Sequence, residues 1–307
     1  MNGENRRVLL LPHIRVQNAN ALSSPFTIGF PAMTAWLGAV HALQRRLNAV
    51  DLVNVNFCGV AVISHDIELQ TKIGKGDFVH SIVVPKRPPS TRKELTGFIA
   101  GSAPSFIEHA RCHLDVSLLI EYVGINKDDE QAFIEQVTHH LNTSMKIAGG
   151  DILSFQKPML YRVEEGIDTE LQKLIRKLMP GYAIVERRDL LIEAMEQGRD
   201  VIDAMLDYLA VHYHCERDDE GNVTWTSSRK TSGWIVPIAT GFHGITELGH
   251  AINQRDPDIP HRFAESVVTL GEFCMPHLIH SLDDILWHYR TDMENNLYLC
   301  QQGDEPE

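Results

Sequence analysis

The feature that most constrains the fold is a strand–helix–strand pattern that occurs twice within the first 153 residues. In chain order the segments are Val8–Val16, Met33–Leu47 and Asp51–His65, then His113–Tyr122, Asp128–Ser144 and Met145–Leu153. Each helix carries apolar residues at helical spacing, and each strand is rich in β-favouring residues. A change of phase at Cys58-Gly59 indicates a β-bulge. This order predicts an α+β fold with a ferredoxin-like βαββαβ core, the topology of RNA-recognition (RRM-like) domains.

An insertion and a second half complete the predicted organisation. Residues Glu68–Lys93 combine two β-prone pieces, glycines and a Pro-rich turn, which is typical of a protruding hairpin or an extended arm. Residues 1–156 would form the core, 157–300 a mixed helical part packed on it, and 301–307 an acidic frayed tail. For the second half the patterns predict helices at Asp168–Met179, Asp189–Tyr208 and Phe263–Arg290, a strand at Tyr182–Glu186 and a hairpin within Val223–Ile245.

The distribution of charge bears on possible partners. The formal net charge is −13, which by itself argues against binding a polyanion. Residues 1–93 nevertheless hold 11 Lys and Arg against 5 Asp and Glu, a balance of +6, so the remainder carries −19. A basic third suits phosphate and an acidic remainder suits a basic protein, although ordinary variation in surface charge explains the numbers equally well.

The sequence predicts a cytoplasmic protein without a membrane partner. Arg6 and Arg7 precede an apolar run, but Pro12, His13 and Arg15 interrupt it too soon for a signal peptide. No apolar stretch approaches the ~20 residues that a membrane-spanning helix needs. The five cysteines are scattered without a CxxC pair, which favours reduced thiols.

Motifs for catalysis or metal binding are missing from the sequence. It has no Walker A loop, HExxH, GxSxG, or GxGxxG after a strand. His109, Cys112 and His113 come closest to a zinc cluster but lack a second ligand pair, so we predict no metal, no cofactor and no catalytic residue. His41, on the first helix, is the best acid/base candidate if the chain cuts RNA. Asp283-Asp284 is expected on a helix surface, solvated or capping.

Polar residues after the first predicted strand supply chemistry suited to RNA. They are Gln17, Asn18, Asn20, Ser23 and Ser24. The amides can read base edges or 2′-hydroxyls, and the serines can donate to phosphate. Arg45 and Arg46, at the end of the first helix, would add positive charge if they flank the same surface. The alternative is that these Asn and Ser side chains only make turn hydrogen bonds and cap the helix.

Two further basic pairs are weaker candidates for RNA binding. They are Lys86 and Arg87 in the arm, and Arg229 and Lys230 before a Gly-rich turn. Trp225 and Trp234 lie near the second pair and could stack on bases, an interaction worth ~1–3 kcal/mol per base, although such residues are more often part of a core.

Blocks spread over nearly the whole chain resemble a known family. The longest begins at Leu9 and reads LLLPHIRVQNANALSSPFTIGFPAMTAWLGAVHALQRRL. The others are HLDVSLL at His113, AGGDIL at Ala148, LMPGYAIV at Leu178, GWIVPIATG at Gly233, and a block from Gly271 to Trp287 that ends in LxDxLW. Together they resemble the Cas-five family of RAMP proteins, in the form that occurs as the small backbone subunit of the type I-F CRISPR surveillance (Csy, Cascade) complex.

The resemblance implies a non-catalytic antiviral protein with a ferredoxin-like RAMP core and a thumb at about 68–110. Such a subunit holds the 5′ handle of the crRNA, pairs with the large subunit of the Csy complex, contacts the adjacent filament backbone subunit and meets target DNA through the assembled complex. In this family a different subunit cuts the guide, which agrees with the missing catalytic motifs. The polar residues between Gln17 and Arg46 fall inside the longest matching block.

Two other functions stay open at this point. Some other Cas-five proteins are metal-independent endoribonucleases that process guide precursor RNA, and His41 or a nearby histidine would then do the chemistry. Alternatively, the chain is a protein-interaction module whose acidic two-thirds docks a basic subunit and whose basic region never touches RNA.

Overall fold

The computed structural model describes residues 5–49, 54–83, 92–93, 96, 109–164, 168–217, 221–254 and 256–303. The α-helices with both ends in these ranges are α1 (Met33–Leu47), α2 (Glu130–Thr143), α3 (Asp168–Leu178), α4 (Arg188–Glu196) and α5 (Val201–Leu209). Short 3₁₀ turns lie at Lys127–Asp129 and Pro276–Leu278. None of the helices in the described ranges is long and apolar enough to cross a membrane.

Strands account for most of the remaining described structure. They are β1 (Asn5–Asn20), β2 (Leu22–Ser24), β3 (Thr27–Ile28), β4 (Asn56–Leu69), β5 (Thr71–Lys72), β6 (Ser81–Ile82), β7 (Arg111–Val123), β8 (Lys146–Ile147), β9 (Gly150–Ser154), β10 (Met159–Glu164), β11 (Tyr182–Glu186), β12 (His212–Arg217), β13 (Val223–Ser228), β14 (Ile235–Gly244), β15 (Ala264–Cys274), β16 (His288–Asp292) and β17 (Leu297–Gln301).

One large antiparallel sheet organises these strands. Its order is β16–β17–β14–β15–β11–β4–β7–β1–β9–β8, and β10 pairs with the first half of β1. The neighbouring strands β4, β7, β1 and β9 correspond to the four strands predicted in the first 153 residues, and every contact between them is antiparallel. Counted along the chain, these four lie in the order 2-3-1-4. The predicted α+β class is confirmed.

Apolar side chains lie on both faces of this sheet. On one face α1 and α2 place Trp36 and Phe133 in the core cluster that contains Leu118 of β7. On the other face Leu174 of α3 joins a second cluster with Leu119, the next residue of β7. This alternation is what a strand buried on both faces requires. The sheet is polar and partly exposed where the C-terminal ends of β1 and β4 lie beside the N-terminal end of β7.

Some local predictions agree closely with the structure. The helix at Met33–Leu47 and the strand at Tyr182–Glu186 have the predicted ends. The bulge at Cys58-Gly59 is confirmed by a register shift between Phe57 and Gly59. The helical stretch Asp189–Tyr208 is two helices, α4 and α5, separated near Gly198, which has a positive φ of 78°.

The helix predicted at Phe263–Arg290 is wrong. This segment contains β15, the 3₁₀ turn Pro276–Leu278 and the start of β16. The β-branched run Val267–Thr269 favours a strand, and β15 finds pairing partners on both sides, β14 and β11, so that its backbone groups are satisfied within the sheet. The second half is therefore much richer in strands than predicted.

The hairpin predicted within Val223–Ile245 is also wrong. β13 pairs with β12, which precedes it, in a two-stranded hairpin whose residues are all exposed. β14 enters the large sheet instead, between β15 and β17. The difference follows from the apolar run Ile235–Ala239, which is buried or half-buried and therefore requires a place in the main sheet.

The polar loop predicted at 17–21 is a continuation of β1. A bulge at Asn18, which has a positive φ of 57°, shifts the register so that Ala19 pairs with Cys112 and is buried. The sequence predicts a loop here because the buried residue of this strand end, Ala19, is small and stands among polar residues.

Asp283-Asp284 lies in a turn rather than on a helix surface. Asp283 accepts a hydrogen bond from Arg6 at 2.5 Å, and the same guanidinium pairs with Glu121 at 2.6 Å. Asp284 accepts hydrogen bonds from the backbone N–H groups of His280 and Ser281. The predicted helix surface is therefore wrong, and both carboxylates make hydrogen bonds within the turn and to Arg6 instead of capping a helix.

The division at residue 156 stays a prediction. Residues on both sides of it share the large sheet, since β10 pairs with β1. They also share the larger apolar core, which contains Ile184, Ile238 and Trp287 together with the buried face of α1.

Glu186 makes stability depend on pH. Its side chain is 7% exposed, and burial raises its pKa, an effect that Arg188 partly offsets. In the unfolded chain the carboxyl group ionises near its ordinary value of 4.5, whereas the folded chain keeps it protonated to a higher pH. The contribution of the protonated carboxyl group to the free energy of unfolding is therefore complete below the ordinary pKa and is lost as pH rises through the pKa of the folded chain.

Replacing Glu186 with glutamine removes this ionisation. We expect the Tm of Glu186→Gln, relative to the wild type, to increase as pH rises from about 4 to about 7, because only the wild type loses stability by this route. Thermal unfolding at several pH values measures it, with the exposed Glu164→Gln as the matched control. A difference that does not change with pH would contradict the assignment.

Candidate nucleic-acid interface

The turn between β8 and β9 lies directly against β1. Ala148 and Gly149 have positive φ values of 48° and 74°, as a type I′ hairpin turn requires. Gly150 follows and has no room for a side chain, because a Cβ there would lie 2.7 Å from the Gln17 carbonyl oxygen and 2.8 Å from the Ala19 nitrogen. The glycine thus permits close contact between this turn and the end of β1.

Asn18 is exposed and its orientation is fixed by its neighbours. Its side-chain oxygen accepts a hydrogen bond from Gln70 at 2.6 Å, and its carbonyl accepts one from Arg111 at 3.2 Å. The His113 ring is 3.3 Å from the Asn18 backbone N–H and 3.2 Å from the Gln70 amide. The structure therefore places an amide, a guanidinium and an imidazole together on the open part of the sheet.

Asn20 lies on the other side of the same turn. Its N–H donates to the Ala148 carbonyl at 2.8 Å, and its amide donates to the Leu22 carbonyl at 2.9 Å. It lines a groove of about 490 Å³ between α1 and the turn. The wall on the α1 side consists of small residues, which are Ala32, Thr34, Ala35, Gly38, Ala39 and Ala42. Such a wall leaves room for a ligand to approach the backbone.

Three cations lie around this groove and turn. Lys146 lines the groove and pairs with Asp151 at 2.5 Å, but both side chains are more than 60% exposed, so the pair is weak. Arg46 reaches the Met145 sulfur at 2.8 Å, next to Lys146. Arg111 lies 4.0 Å from where a Cβ of Gly149 would be. We call Asn18, Asn20, Arg46, Arg111 and Lys146 the turn surface.

The other predicted residues of the first block have different environments. Arg45 is exposed and has no ion-pair partner among the described residues. Ser23 and Ser24 bond to the Thr27 hydroxyl at 2.8 and 2.7 Å, and Ser24 is buried. These hydroxyls hold the β2–β3 turn, which is the structural role left open by the sequence. Gln17 is exposed on β1.

Of the two weaker basic pairs, only Arg229 and Lys230 lie among the described residues, and they do not belong to the turn surface. Lys230 is 2.8 Å from Asp207 of α5 and 4.1 Å from the ring of Tyr208, and hydrogen bonds from Lys230 and Arg199 lower the pKa of Asp207. Arg229 is exposed beside it. Lys86 and Arg87 lie outside the described residues.

Comparison with known proteins bears on the family of this chain. Residues 9–300 match the family model described as CRISPR-associated protein (Cas_Csy2). The chain belongs to the Csy2 family. A relative described as CRISPR-associated protein Csy2, from Pseudomonas aeruginosa (strain UCBPP-PA14), is 34% identical over 320 residues, which cover 95% of this chain and 94% of the relative. The resemblance to a Csy-complex component is confirmed at this level.

Sequence reasoning missed two cations of this Csy2-family chain. Arg111 opens β7, and Lys146 stands two residues before the Ala-Gly-Gly turn. Positive-φ turns expose backbone groups that favour anions, so basic residues beside such a turn are the signal that indicates a phosphate site. Neither residue was singled out, because each also fits an ordinary strand end.

The catalytic candidate of the sequence, His41, is exposed on α1. It lines a cavity of about 230 Å³ with Gln44, His288 and Tyr289. The His288 ring is bonded to the Cys58 carbonyl at 2.9 Å, and Gln44 accepts the Phe57 N–H at 2.7 Å. Within the described part of this Csy2-family chain, His41 has no hydrogen-bonded partner that would orient it as an acid or a base.

Proposed function

We propose that this chain is a non-catalytic, cytoplasmic subunit of a type I-F CRISPR surveillance complex, of the Cas-five RAMP group. It binds the 5′ handle of the crRNA, pairs with the large subunit, contacts the adjacent backbone subunit and takes part in DNA targeting through the assembled complex. The observation that carries this proposal is the Csy2-family match over residues 9–300, with the turn surface built largely from the longest resembling block.

The strand order supports a ferredoxin-like core. A βαββαβ unit of this kind is antiparallel with the order 4-1-3-2, which is the order of β9, β1, β7 and β4. The small β5–β6 hairpin, where Thr71 pairs with Ile82, supports an arm that leaves the core after β4.

The chemistry of the turn surface supports RNA as the ligand. Arg46, Arg111 and Lys146 offer charge for phosphates, and the amides of Asn18 and Asn20 suit base edges and 2′-hydroxyls. Asp151 competes for Lys146, but an exposed pair of this kind is worth at most about 1 kcal/mol, so a phosphate can replace the carboxylate.

Exposed apolar side chains support a protein partner. They lie on α4, α5 and the β12–β13 hairpin and include Ile192, Met195, Ile202, Leu206, Tyr213 and Trp225. Exposed apolar patches commonly mark interaction sites. We propose that this surface takes the large subunit, since it does not include the turn surface and both partners can then bind together.

The proposal predicts a change in the salt dependence of RNA binding. The complex is purified with its partner subunits and guide RNA, and affinity is measured against salt concentration. For single strands the slope of log affinity against log salt is ~0.7 per neutralised phosphate, so Arg111→Ala/Lys146→Ala should lower it by ~1.4. Arg45→Ala/Arg46→Ala should lower it by at least ~0.7 through Arg46.

The matched control is Arg176→Ala/Lys177→Ala, which removes two exposed charges from α3 and should leave the slope unchanged. An unchanged slope in both test variants, with intact assembly, would overturn the turn surface as the RNA site. Failure to assemble with the partners would overturn the subunit role. Metal-independent cleavage of repeat RNA that is lost in His41→Ala would favour the endoribonuclease, and a complex whose mapped interface contains no RNA would favour the interaction module.

A further inference from the structure

Two histidines occupy neighbouring β-bulges in the described sheet. His13 is an extra residue of β1, where the register against β7 shifts between Leu11 and Ile14. His65 is the extra residue of β4, where the register shifts between Ser64 and Asp66. Both bulges face the same short stretch of β7, the strand between them. Bulges re-aim side chains and are over-represented next to functional sites.

The bulges bring three possible ligand groups together. The His13 and His65 rings stack with centroids 4.1 Å apart, and the His13 Nδ1 is 3.1 Å from a carboxylate oxygen of Asp115. One ligand atom from each of the three residues lies within 4.8 Å of the others. The side chains of His13 and Asp115 are 30% and 23% exposed, so the cluster is open to solvent on one side.

The surroundings of His65 fix one nitrogen as a donor. Its Nδ1 is 2.5 Å from the Pro180 carbonyl, which can only accept, so Nδ1 carries the proton. Its Nε2 then carries the lone pair, which accepts a hydrogen bond from the Ser117 hydroxyl at 2.6 Å and which a metal ion would take in place of that hydroxyl. A histidine that donates one N–H to a backbone carbonyl while presenting the other nitrogen is the usual arrangement of a metal ligand.

The backbone conformation of His13 also indicates a functional site. Its φ is 48°, in the left-handed region that non-glycine residues seldom adopt, and such strain is concentrated at functional sites. Its N–H donates to the Ser117 hydroxyl at 3.0 Å, so Ser117 links both histidines to β7.

We propose that His13, His65 and Asp115 bind a divalent transition-metal ion, with Zn²⁺ as the best-suited class. Two imidazoles and one carboxylate are a donor set that Zn²⁺ accepts, with water completing a tetrahedral site. Mg²⁺ and Ca²⁺ prefer oxygen ligands and fit less well. Arg15, whose Nε is 4.0 Å from the other oxygen of Asp115, is 70% exposed and free to turn away.

The zinc candidates considered from the sequence do not form this site. Cys112 is buried in the core, and His113, the next residue of β7, bonds to Gln70 instead. His13, His65 and Asp115 are the one group among the described residues that meets the distance requirement for a metal. They are about 50 residues apart along the chain, so no motif spacing could indicate them.

The test is metal binding to the purified chain after treatment with a chelator. Zn²⁺ is titrated by calorimetry and Co²⁺ by visible absorption, with Mg²⁺ for comparison. We expect one ion per chain, a cobalt spectrum without thiolate-to-metal charge transfer, and a Tm that rises with Zn²⁺ but not with Mg²⁺. His13→Asn and Asp115→Asn should each weaken binding by at least ~10-fold.

The substitutions are chosen to preserve the fold. Asparagine tolerates the positive φ at position 13 and is nearly isosteric with aspartate at position 115. His277→Asn, which replaces an exposed residue of the 3₁₀ turn, is the matched control and should bind like the wild type. A wild type that binds no Zn²⁺, variants that bind as tightly as the wild type, or a cobalt spectrum with thiolate ligation would each overturn the site. None of these outcomes depends on RNA binding.

Discussion

Replacing Trp287 with alanine is expected to lower the free energy of unfolding by about 3–5 kcal/mol. The side chain is fully buried, and its indole N–H donates to the Ile184 carbonyl at 2.9 Å. Its backbone exchanges two hydrogen bonds with Val60, at 2.9 and 3.0 Å. Truncation therefore leaves a cavity between β4 and β11 and removes the best donor to a buried carbonyl.

Denaturant unfolding followed by circular dichroism measures this loss. Trp225→Ala is the matched control, because Trp225 is 66% exposed on the β12–β13 hairpin and its removal should change stability by no more than about 0.5 kcal/mol. A loss below about 1 kcal/mol for Trp287→Ala would mean that the second half does not share the core of the first.

Elements whose signal is local could be predicted from the sequence. The helix at Met33–Leu47 has apolar residues spaced three and four apart, and the structure buries them: Met33, Trp36, Leu37, Val40, Leu43 and Leu47. Likewise, the βαββαβ segments each contain their own periodicity. Such elements need no knowledge of distant partners, which is why their positions in the chain agree with the structure.

Elements whose form depends on distant partners could not be predicted. β15 reads as helical in spacing, but it becomes a strand because β11 and β14 lie on either side of it. β13 finds its partner upstream in β12, whereas the sequence suggested a downstream partner. In both cases strand pairing overrides local pattern, since backbone hydrogen bonds to another strand depend on where that strand lies.

The candidate interface also contains both residues that local sequence indicates and residues that only distant strand pairing brings into place. Asn18 and Asn20 could be found from their chemistry and their place in one polar segment. Arg111 could not, because it joins Asn18 across 93 residues of chain through pairing of β1 with β7. The bonds of Ser23 and Ser24 to Thr27 follow from a two-residue turn that sequence alone leaves undecided, and the RNA-binding role of these serines stays a prediction.

Replacing Gly150 with alanine is expected both to destabilise the protein and to weaken binding of the crRNA. The new Cβ would lie 2.7 Å from the Gln17 oxygen, 2.7 Å from a Val16 methyl group and 2.8 Å from the Ala19 nitrogen. Two of these are backbone atoms, so relief requires the turn to move away from β1. Overpacking of this kind costs roughly 1–3 kcal/mol.

The displacement should also separate Lys146 from Asn18 and Asn20, because the turn joins β8 to β9. We expect the affinity for guide RNA in the assembled complex to fall by about tenfold or more, which corresponds to about 1.4 kcal/mol. Filter binding at fixed salt gives the affinity, and thermal unfolding gives the stability.

The matched control separates the two effects. Gly198→Ala introduces a Cβ with nothing within 4 Å at a residue with a φ of 78°, so it costs roughly 1 kcal/mol of backbone strain between α4 and α5, outside the turn surface. It should lower stability while leaving RNA affinity unchanged. If Gly150→Ala also kept full RNA affinity, the close contact between the β8–β9 turn and β1 would be a requirement of folding alone, and the RNA site would have to lie elsewhere on the chain.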